Sequence, residues 1–475
     1  MKLRLLLACG CFVAATAAFA KVTVPDILGD NMVLQQQTDV KFWGTANPGK
    51  NVVITPSWSK EKVAVKAGSD GKWVAKVRTP KGSHNPQTIK ISDGEALTLK
   101  NVLIGEVWLA SGQSNMEMPL GGFYNCPVEN ANETILESGK YRNSIRFVRI
   151  PWVHSLVPQD TVDCHWVESA PENAPRFSAA AYYFAESVAN TLDVPVGIID
   201  CNWGGSPIES WMSRDVLAKK YPDVDLNNDN IIKRNDWGHS PTVMYNAMIH
   251  PLINFTLKGF IWYQGEANIY GHASYAQRMA DMVNLWRNDW GLGEMPFYFV
   301  EIAPFNYGED LSPYLREAQF KAQSLIPHSG MVCTNDLVLD YEDVNIHPAM
   351  KKEVGMRLGF FALANDYGVK GIKTHGPEFK AVEFKDGKAR VTFNYAESGY
   401  NRMKDITGFE ISGADKKFYP AKAWFDNGAI VVSSDSVAAP VAVRYCYRDF
   451  LKGNLAGTYG LPVVPFRTDN WEWRK

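Results

Sequence analysis

The chain has 475 residues and a formal net charge of -2, with 46% hydrophobic and 21% charged residues. The length predicts two or three domains, and the composition is that of a soluble globular protein without membrane insertion. A charge this close to neutral gives no electrostatic attraction to nucleic acid or to an anionic membrane surface, so neither partner is expected.

The first 20 residues have the three parts of a signal peptide. Lys2 and Arg4 form a positive start, residues 5–17 form an apolar stretch, and small residues at positions 18 and 20 make a cleavage site. We therefore expect cleavage near Ala20 and a mature protein that is periplasmic or secreted.

Two of the seven cysteines precede this point, so five remain in the mature chain. They are scattered, without the spacing of a metal site, and their odd number leaves at least one thiol free. Cys201 and Cys333 fall at strand ends and are predicted to be small buried side chains. A disulfide between Cys126 and Cys164 is one alternative in an oxidising compartment, and the sequence does not decide whether it forms. No metal ion or organic cofactor is expected.

Three segments with different apolar patterns follow. Residues 21–100 contain short strands between Gly, Pro, Asn and Asp turns, which predicts a small β-sandwich domain. Residues 101–366 alternate strand, loop and helix, the pattern of a parallel sheet covered on both faces. Residues 367–475 return to strand patterns and predict a second β-rich domain. In the middle segment the predicted strands are 103–109, 145–150, 196–200, 259–263, 297–302 and 330–335, and the predicted helices are 177–192, 273–288, 313–325 and 349–364.

A serine lies in the turn after the first of these strands. The carboxyl ends of parallel strands form the edge at which ligands bind in open α/β sheets, so this turn places the Ser114 hydroxyl where chemistry is expected. A serine hydroxyl becomes a nucleophile only beside a base. His347 is the candidate base, because it follows the last predicted parallel strand and precedes a helix that Pro348 is suited to begin. Both side chains are therefore predicted at one edge of the sheet.

Two further loops at strand ends supply candidate groups for an oxyanion hole. Gly204 and Gly205 follow one predicted strand, and glycine lets a backbone N–H approach an oxyanion closely. Gln264 follows the next predicted strand and carries a side-chain amide suited to the same oxygen, while Glu266 is a candidate brace of that loop.

Together these motifs resemble the SGNH-hydrolase superfamily and, within it, the sialate O-acetylesterase family of carbohydrate esterases. The matching stretches span most of the chain after residue 20: GQSNM at 112–116, WGGSPIESW at 203–211, YNAMI at 245–249, WYQGEAN at 262–268, LREAQ at 315–319, IHP at 346–348 and GLPVVPFRTD at 460–469. The resemblance implies an α/β fold with a flavodoxin-like parallel sheet flanked by β-sandwich modules.

The resemblance also implies a reaction, the hydrolysis of an acetyl ester on a sugar through an acyl-enzyme. Ser114 is then the nucleophile and His347 the base. The implied oxyanion donors are the backbone N–H of Ser114, that of Gly205 or Gly204, and the side chain of Gln264. The chemistry requires no cofactor.

The group that orients His347 is left open. The superfamily often places an aspartate three residues before its histidine, and here that position holds Val344. Asp343 lies one residue further back and Asn345 one residue nearer. The alternatives are the Asp343 carboxylate, a backbone carbonyl, or a Ser–His dyad, with the carbonyl or the dyad favoured. An orienting group would hold the tautomer with its proton on Nδ1, so that Nε2 accepts the proton of Ser114.

The expected substrate is an acetylated sugar. The resemblance favours sialic acid, with 9-O-acetyl sialic acid first, and acetylated xylan or pectin oligosaccharides are the alternative. Candidate walls for stacking on a sugar ring are Trp203, Trp211 and Tyr270. An arginine suits the carboxylate of sialic acid, and the candidates are Arg214 and Arg316.

A non-catalytic reading competes with the esterase, namely an exported glycan-binding protein built on β-sandwich modules. Such a protein has no need of an intact Ser114 and His347 pair. The presence of both, with the glycine and glutamine loops, favours the enzyme.

Overall fold

The computed structural model describes residues 21–472, so the signal peptide predicted at 1–20 lies outside the described residues. The described chain begins with strands. They are β1 (Val33–Gln35), β2 (Asp39–Thr45), β3 (Asn51–Pro56), β4 (Val63–Lys66), β5 (Lys72–Arg78), β6 (Ser83–Ser92) and β7 (Ala96–Gly112). Strands β2 and β5 form an antiparallel pair, and β3 joins β4 to β6, which pairs with β7. Residues of β5 alternate between buried and exposed, as expected for a strand with one face on a core.

Strand β7 runs through the boundary that the sequence predicted near residue 100. It is 17 residues long, and its first part pairs antiparallel with β6. Its second part lies in the parallel sheet. Asn101 has a φ of +54° at the transition, a left-handed conformation that asparagine tolerates better than most residues. The N-terminal strands and the α/β segment therefore share one strand instead of meeting at a linker.

The middle of the chain alternates helices and strands. In chain order these are α1 (Ser114–Glu117), α2 (Ala131–Glu137), β8 (Ile145–Arg149), β9 (Trp166–Glu168), α3 (Ala179–Leu192), β10 (Val196–Asn202), α4 (Arg214–Lys220), α5 (Asn228–Ile232), β11 (Gly259–Tyr263), α6 (His272–Trp290), β12 (Phe297–Val300), α7 (Ser312–Leu325), β13 (Ser329–Val332) and α8 (Lys351–Asn365). All six predicted strands and all four predicted helices are present, with β12 and β13 ending two or three residues earlier than predicted.

Together with β7 these strands form the path β13-β12-β11-β7-β10-β8-β9 of an eleven-stranded sheet, which also includes β1, β3, β4 and β6. Every neighbouring pair on this path is parallel except β8 with β9, which closes one edge. Successive residues of β7 face opposite sides, so Trp108 packs in the core with α3 and α8 while Leu109 packs in the core with α6 and α7. The predicted α/β class with a sheet covered on both faces is confirmed.

A glycine in α8 allows α3 and α8 to pack closely on one face of the sheet. A Cβ on Gly355 of α8 would lie 2.4 Å from the backbone oxygen of Ala180 in α3. Since real Cβ atoms do not approach this closely, a larger residue forces the two helices apart.

The chain ends in antiparallel strands. They are β14 (Glu378–Lys385), β15 (Lys388–Asn394), β16 (Phe409–Ser412), β17 (Phe418–Pro420), β18 (Lys422–Asp426), β19 (Ala429–Ser433), β20 (Ala442–Tyr445) and β21 (Phe466–Arg467). They form two four-stranded sheets, β14-β15-β19-β18 and β17-β16-β20-β21, around a shared apolar core. Across residues 21–472, no helix is both long and apolar enough to cross a bilayer.

Candidate active site

The Ser114 loop begins where β7 ends, at the carboxyl edge of the sheet. Gly112 has a φ of +139°, and a Cβ there would lie 2.1 Å from the backbone oxygen of Tyr263. Glycine alone permits this approach, which lets Gln113 donate its backbone N–H to the Tyr263 oxygen at 3.0 Å. Helix α1 then starts at Ser114, whose side chain is partly exposed.

His347 lies in the loop between β13 and α8. The Asn345 side chain holds it from both sides: Oδ1 accepts from the His347 backbone N–H at 3.0 Å, and Nδ2 donates to the His347 backbone oxygen at 2.9 Å. The ring of Phe123 packs edge-on with its centroid at 5.1 Å. Burial, and then the positive charge of Lys351, lower the pKa of His347 to about 4. The imidazole is therefore neutral at physiological pH, as a general base must be.

The side chain next to Nδ1 of His347 is a thiol. Cys126 Sγ lies 4.0 Å from Nδ1 and 3.2 Å from Asn345 Oδ1, to which it donates. The Asp343 carboxylate makes no hydrogen bond to His347 in the described chain, and Asp343 instead accepts through its backbone oxygen from Asn306 N–H at 3.0 Å. Neither predicted orienting group, the Asp343 carboxylate or a backbone carbonyl, therefore meets Nδ1. Cys126 is a free thiol, and the disulfide left open with Cys164 is not formed.

Asn115 ties the serine loop to the histidine loop. Its Nδ2 donates to the backbone oxygen of Ile346 at 2.9 Å and to Glu266 Oε1 at 2.6 Å. The residue after Ser114 therefore holds the residue before His347. Within residues 21–472 neither the Ser114 hydroxyl nor His347 Nε2 has a hydrogen-bond partner, so the two side chains share this edge without a direct bond between them.

A buried lysine completes this network. Lys351, at the start of α8, is 1% exposed and donates to Asn115 Oδ1 at 2.7 Å. Burial lowers the pKa of Lys351 to about 7, although the negative charges of Glu266 and Glu342 act to raise it. Burial likewise raises the pKa of Glu266, whose Oε2 has no hydrogen-bond partner in the described part of the chain. Glu266 is thus hydrogen-bonded to the serine loop through Asn115, with the charge of Lys351 nearby, and stays the candidate brace of its loop.

The glycine loop lies against Ser114. A Cβ on Gly204 would be 3.3 Å from Ser114 Cβ, and Gly204 donates its N–H to Glu117 Oε2 at 2.6 Å. That amide is therefore occupied. Gly205 is exposed with a φ of +73°, and its N–H has no partner among the described residues. The backbone N–H of Ser114, ahead of the first bond of α1, is likewise unpaired within residues 21–472.

Gln264 is fully engaged inside the protein. Its Nε2 donates to the Ser206 backbone oxygen at 3.0 Å and to Asn268 Oδ1 at 2.7 Å, while its Oε1 accepts from the Tyr275 hydroxyl at 2.7 Å. Both amide hydrogens are used, so this conformation leaves none for an oxyanion. The sequence placed Gln264 at the correct strand end but could not show these partners.

Three other predicted substrate contacts have partners within the protein. Trp211 is fully buried, with its Nε1 donating to Ser206 Oγ at 2.9 Å, and so is core instead of a sugar wall. Arg214 bonds Asn228 Oδ1, and buried Arg316 bonds the backbone oxygen of Arg448. Of the other proposed walls, Tyr270 is 74% exposed and Trp203 is partly exposed beside Gly204.

Sequence reasoning missed four residues of the site, which are Asn115, Glu117, Cys126 and Lys351. Asn115 lies inside the quoted GQSNM motif, and Glu117 is the acidic last residue of α1, three residues after Ser114. Cys126 and Lys351 carry no local signal, because their roles depend on partners far away in the sequence. The described residues contain no cluster of side chains that could hold a metal ion.

Comparison with known proteins identifies the family to which the chain with this site belongs. A family model described as a carbohydrate esterase, sialic acid-specific acetylesterase, matches residues 104–363, from β7 to α8. The chain belongs to this family. As the resemblance in the sequence predicted, it is a carboxylic ester hydrolase of the carbohydrate esterases.

Relatives of the family match almost the whole chain. The sialate O-acetylesterase of Homo sapiens is 30% identical over 459 residues, covering 88% of this chain and 86% of that protein. The Mus musculus sialate O-acetylesterase is 28% identical over 482 residues, covering 88% and 87%. A carbohydrate acetylesterase from Xanthomonas citri has a similar crystal structure, with a TM-score of 0.85, 33% identity and coverage of 95% of this chain and 100% of that one. The likeness therefore includes the flanking β-sheets as well as the α/β segment.

Proposed function

We propose that the protein removes O-acetyl groups from sialic acid through a serine acyl-enzyme, with an SGNH-type arrangement of its site. The observation that carries this proposal is the Asn115 bridge, because it holds the Ser114 and His347 loops together at one edge of the sheet. The relatives named sialate O-acetylesterase support sialic acid as the substrate, and the resemblance in the sequence puts its 9-O-acetyl form first.

The reaction starts with Ser114. Its Oγ attacks the acetyl carbonyl carbon while His347 Nε2 takes the hydroxyl proton, and the carbonyl oxygen becomes an oxyanion. When this intermediate collapses, the sugar oxygen leaves with the proton from His347. Water then attacks the acetyl–Ser114 ester with His347 as base again, and acetate is released. Hydrogen bonds of this kind are often long in an unliganded enzyme and shorten when substrate binds, which fits the separation of Ser114 from His347 here.

We assign the oxyanion to the backbone N–H groups of Ser114 and Gly205. Both are unpaired in the part of the chain that the structure describes, and the Gly204 contact with Ser114 brings their loops together. One such donor typically contributes about 10²–10³ in rate. Glu117 positions this loop through the Gly204 N–H. Gln264 positions the loop after β11, and donation to the oxyanion would require it to break one of its two internal bonds.

The experiment that tests the function is acetate release from mixed O-acetylated sialic acids. Wild type is compared with Ser114→Ala and with Ser398→Ala, an exposed serine in the C-terminal β segment. We expect release by wild type and Ser398→Ala, and none above background by Ser114→Ala. Near-wild-type release by Ser114→Ala would overturn the assignment, and faster release from acetylxylan would move the substrate to plant polysaccharides. Inactivity of wild type on every acetyl ester would favour a glycan-binding protein.

We also propose that the protein is exported, periplasmic or secreted, on the signal-peptide pattern of its first 20 residues. N-terminal sequencing of protein recovered from the source cell's exterior or periplasm tests this, with a start near residue 21 expected. A mature protein that retains residues 1–20 would contradict export by this route.

A further inference from the structure

An aromatic cluster borders the oxyanion loop. It consists of Trp152, His154, Trp203, Trp237 and His239. Trp203 directly precedes Gly204, and Trp152 stacks on it with ring centroids 6.1 Å apart and planes 17° apart. His239 Nε2 lies 2.8 Å from the Gly204 backbone oxygen, and His154 packs edge-on against Trp237 at 3.9 Å. The cluster is thus attached to the loop that receives the acetyl oxygen.

The outer face of this cluster is open. Trp152 is 53% exposed although it stacks on Trp203 on one side. A half-exposed tryptophan fixed by a second ring presents a flat apolar surface, which suits the C–H face of a sugar ring. The surface lies beside the glycine loop, so a sugar whose acetyl group reaches Ser114 extends toward it.

An arginine stands at the same place. Arg149 ends β8, and its guanidinium lies 5.7 Å from the centre of the Trp152 ring. Its Nη2 is 3.4 Å from Glu117 Oε1, and the other Glu117 oxygen accepts from Gly204 N–H. The Arg149 side chain is 42% exposed and makes this one hydrogen bond in the described chain. Since a guanidinium has five N–H donors, four of them have no partner in the described chain.

We propose that Arg149 binds the carboxylate of the substrate sugar, while Trp152 packs against the sugar ring, so that the esterase selects acidic acetylated sugars over neutral ones. This inference rests on the proposed function and deepens it. A guanidinium pairs with a carboxylate through two parallel bonds. Arg214 and Arg316, the arginines that sequence reasoning suggested, bond Asn228 and the backbone oxygen of Arg448, and neither has a hydrogen bond or ion pair with Glu117 or the glycine loop in the described chain. Neutral sugars such as xylose offer no partner for this charge.

The test separates the carboxylate from the rest of the substrate. We would measure kcat/KM for acetate release from O-acetylated sialic acid and from the same compound with its carboxylate converted to a neutral carboxamide. We expect wild type to prefer the free acid by about tenfold or more, the usual effect of a hydrogen bond to a charged group. Arg149→Gln is expected to lower the rate on the free acid to that on the amide while leaving the amide rate within about twofold.

Two further variants serve as controls for the effect of Arg149→Gln. Arg78→Gln removes another exposed arginine with a single long ion pair, to Asp39 at 3.7 Å, and is expected to keep the wild-type preference. Arg149→Lys keeps the charge and is expected to keep part of the preference, with an unchanged melting temperature showing that the variant folds.

Each unfavourable result has its own meaning. Equal losses on acid and amide in Arg149→Gln would show that Arg149 acts through Glu117 on the oxyanion loop, and would overturn the inference. Wild type that cleaves acid and amide at the same rate would overturn it as well, while leaving sialate esterase activity intact. Wild type that cleaves only a small synthetic acetyl ester would overturn the sialate assignment and this inference together.

Discussion

Replacing Lys351 by methionine is expected to move the acid limb of the pH–rate profile. Only neutral His347 accepts a proton from Ser114, and kcat/KM reports the pKa of the free enzyme's base. With the pKa of His347 at about 4, wild type stays active well below neutral pH. At pH 5 about 90% of such an imidazole is neutral, against about 3% at the ordinary value, a difference of roughly 30-fold in rate.

Two causes hold this pKa down, and the variant removes the smaller one. Burial of the ring comes first, and the charge of Lys351 comes second. Since the pKa of Lys351 itself is about 7, the lysine is charged across the whole acid limb. Lys351→Met therefore raises the pKa of His347 by less than half of its displacement, and the limb moves toward neutral pH by about one unit.

The assay is kcat/KM for acetate release in buffers from acid to neutral pH, on wild type, Lys351→Met and Lys352→Met. Lys352 is the next residue of the same helix and is exposed, so its removal should leave the limb in place. Lys351→Met also leaves Asn115 Oδ1 without its donor and Glu266 without a nearby positive charge, so a melting curve must show that the variant is folded. A wild-type limb near pH 6.5, or a limb that does not move in folded Lys351→Met, would refute the reasoning.

Five further substitutions test three other parts of the account. Glu117→Gln weakens the charged hydrogen bond that Gly204 N–H donates to this side chain, and it should lower kcat by about five- to tenfold on every acetyl ester. An unchanged kcat would show that Glu117 does not position the oxyanion loop. Asp343→Asn should keep kcat/KM within about twofold, whereas Cys126→Ala should lower it by about two- to tenfold, because the Cys126 thiol is the side chain next to His347 Nδ1. A larger loss in Asp343→Asn than in Cys126→Ala would show that Asp343 orients His347. Gly355→Ala should reduce the free energy of unfolding by about 3 kcal/mol, measured by denaturant titration, because its Cβ meets the Ala180 backbone. The Cβ of Gly359→Ala would meet only the side chain of Ser187, 2.8 Å from its Oγ, so this variant should reduce the free energy of unfolding less. An equal reduction in the two variants would contradict the argument from the α3–α8 backbone contact.

The sequence predicted the elements of the α/β segment well because their patterns are local. Buried parallel strands are continuous apolar runs, and helices show their 3.6-residue period with capping signals. The placement of Ser114 and His347 also followed from local order, since each lies in a loop that follows a strand of one sheet. The boundary predicted near residue 100 falls inside β7, where Asn101 is a turn-like residue. Only the pairing partners of β7 on both sides of Asn101 show that the strand continues.

The predictions that failed within the site depended on long-range packing. Trp211 and Trp152 look alike in sequence, yet one lies in the core and the other half in solvent. Gln264 stands at the predicted strand end, but its hydrogens are used by loop residues whose positions no spacing reveals. The bond of Asn115 to Lys351 joins residues 236 positions apart. Residue type and spacing give candidates at an edge, and the tertiary fold decides which of them are free to react.

The acyl-enzyme at Ser114 is the central claim, and trapping it is the most direct test. Wild type is mixed with an acetyl ester, quenched in acid within the first turnovers, digested and analysed by mass spectrometry. We expect one acetyl group on the peptide that contains Ser114, and none in Ser114→Ala. Turnover by wild type with no acetyl group on that peptide at any quench time, together with an active Ser114→Ala enzyme, would contradict the account.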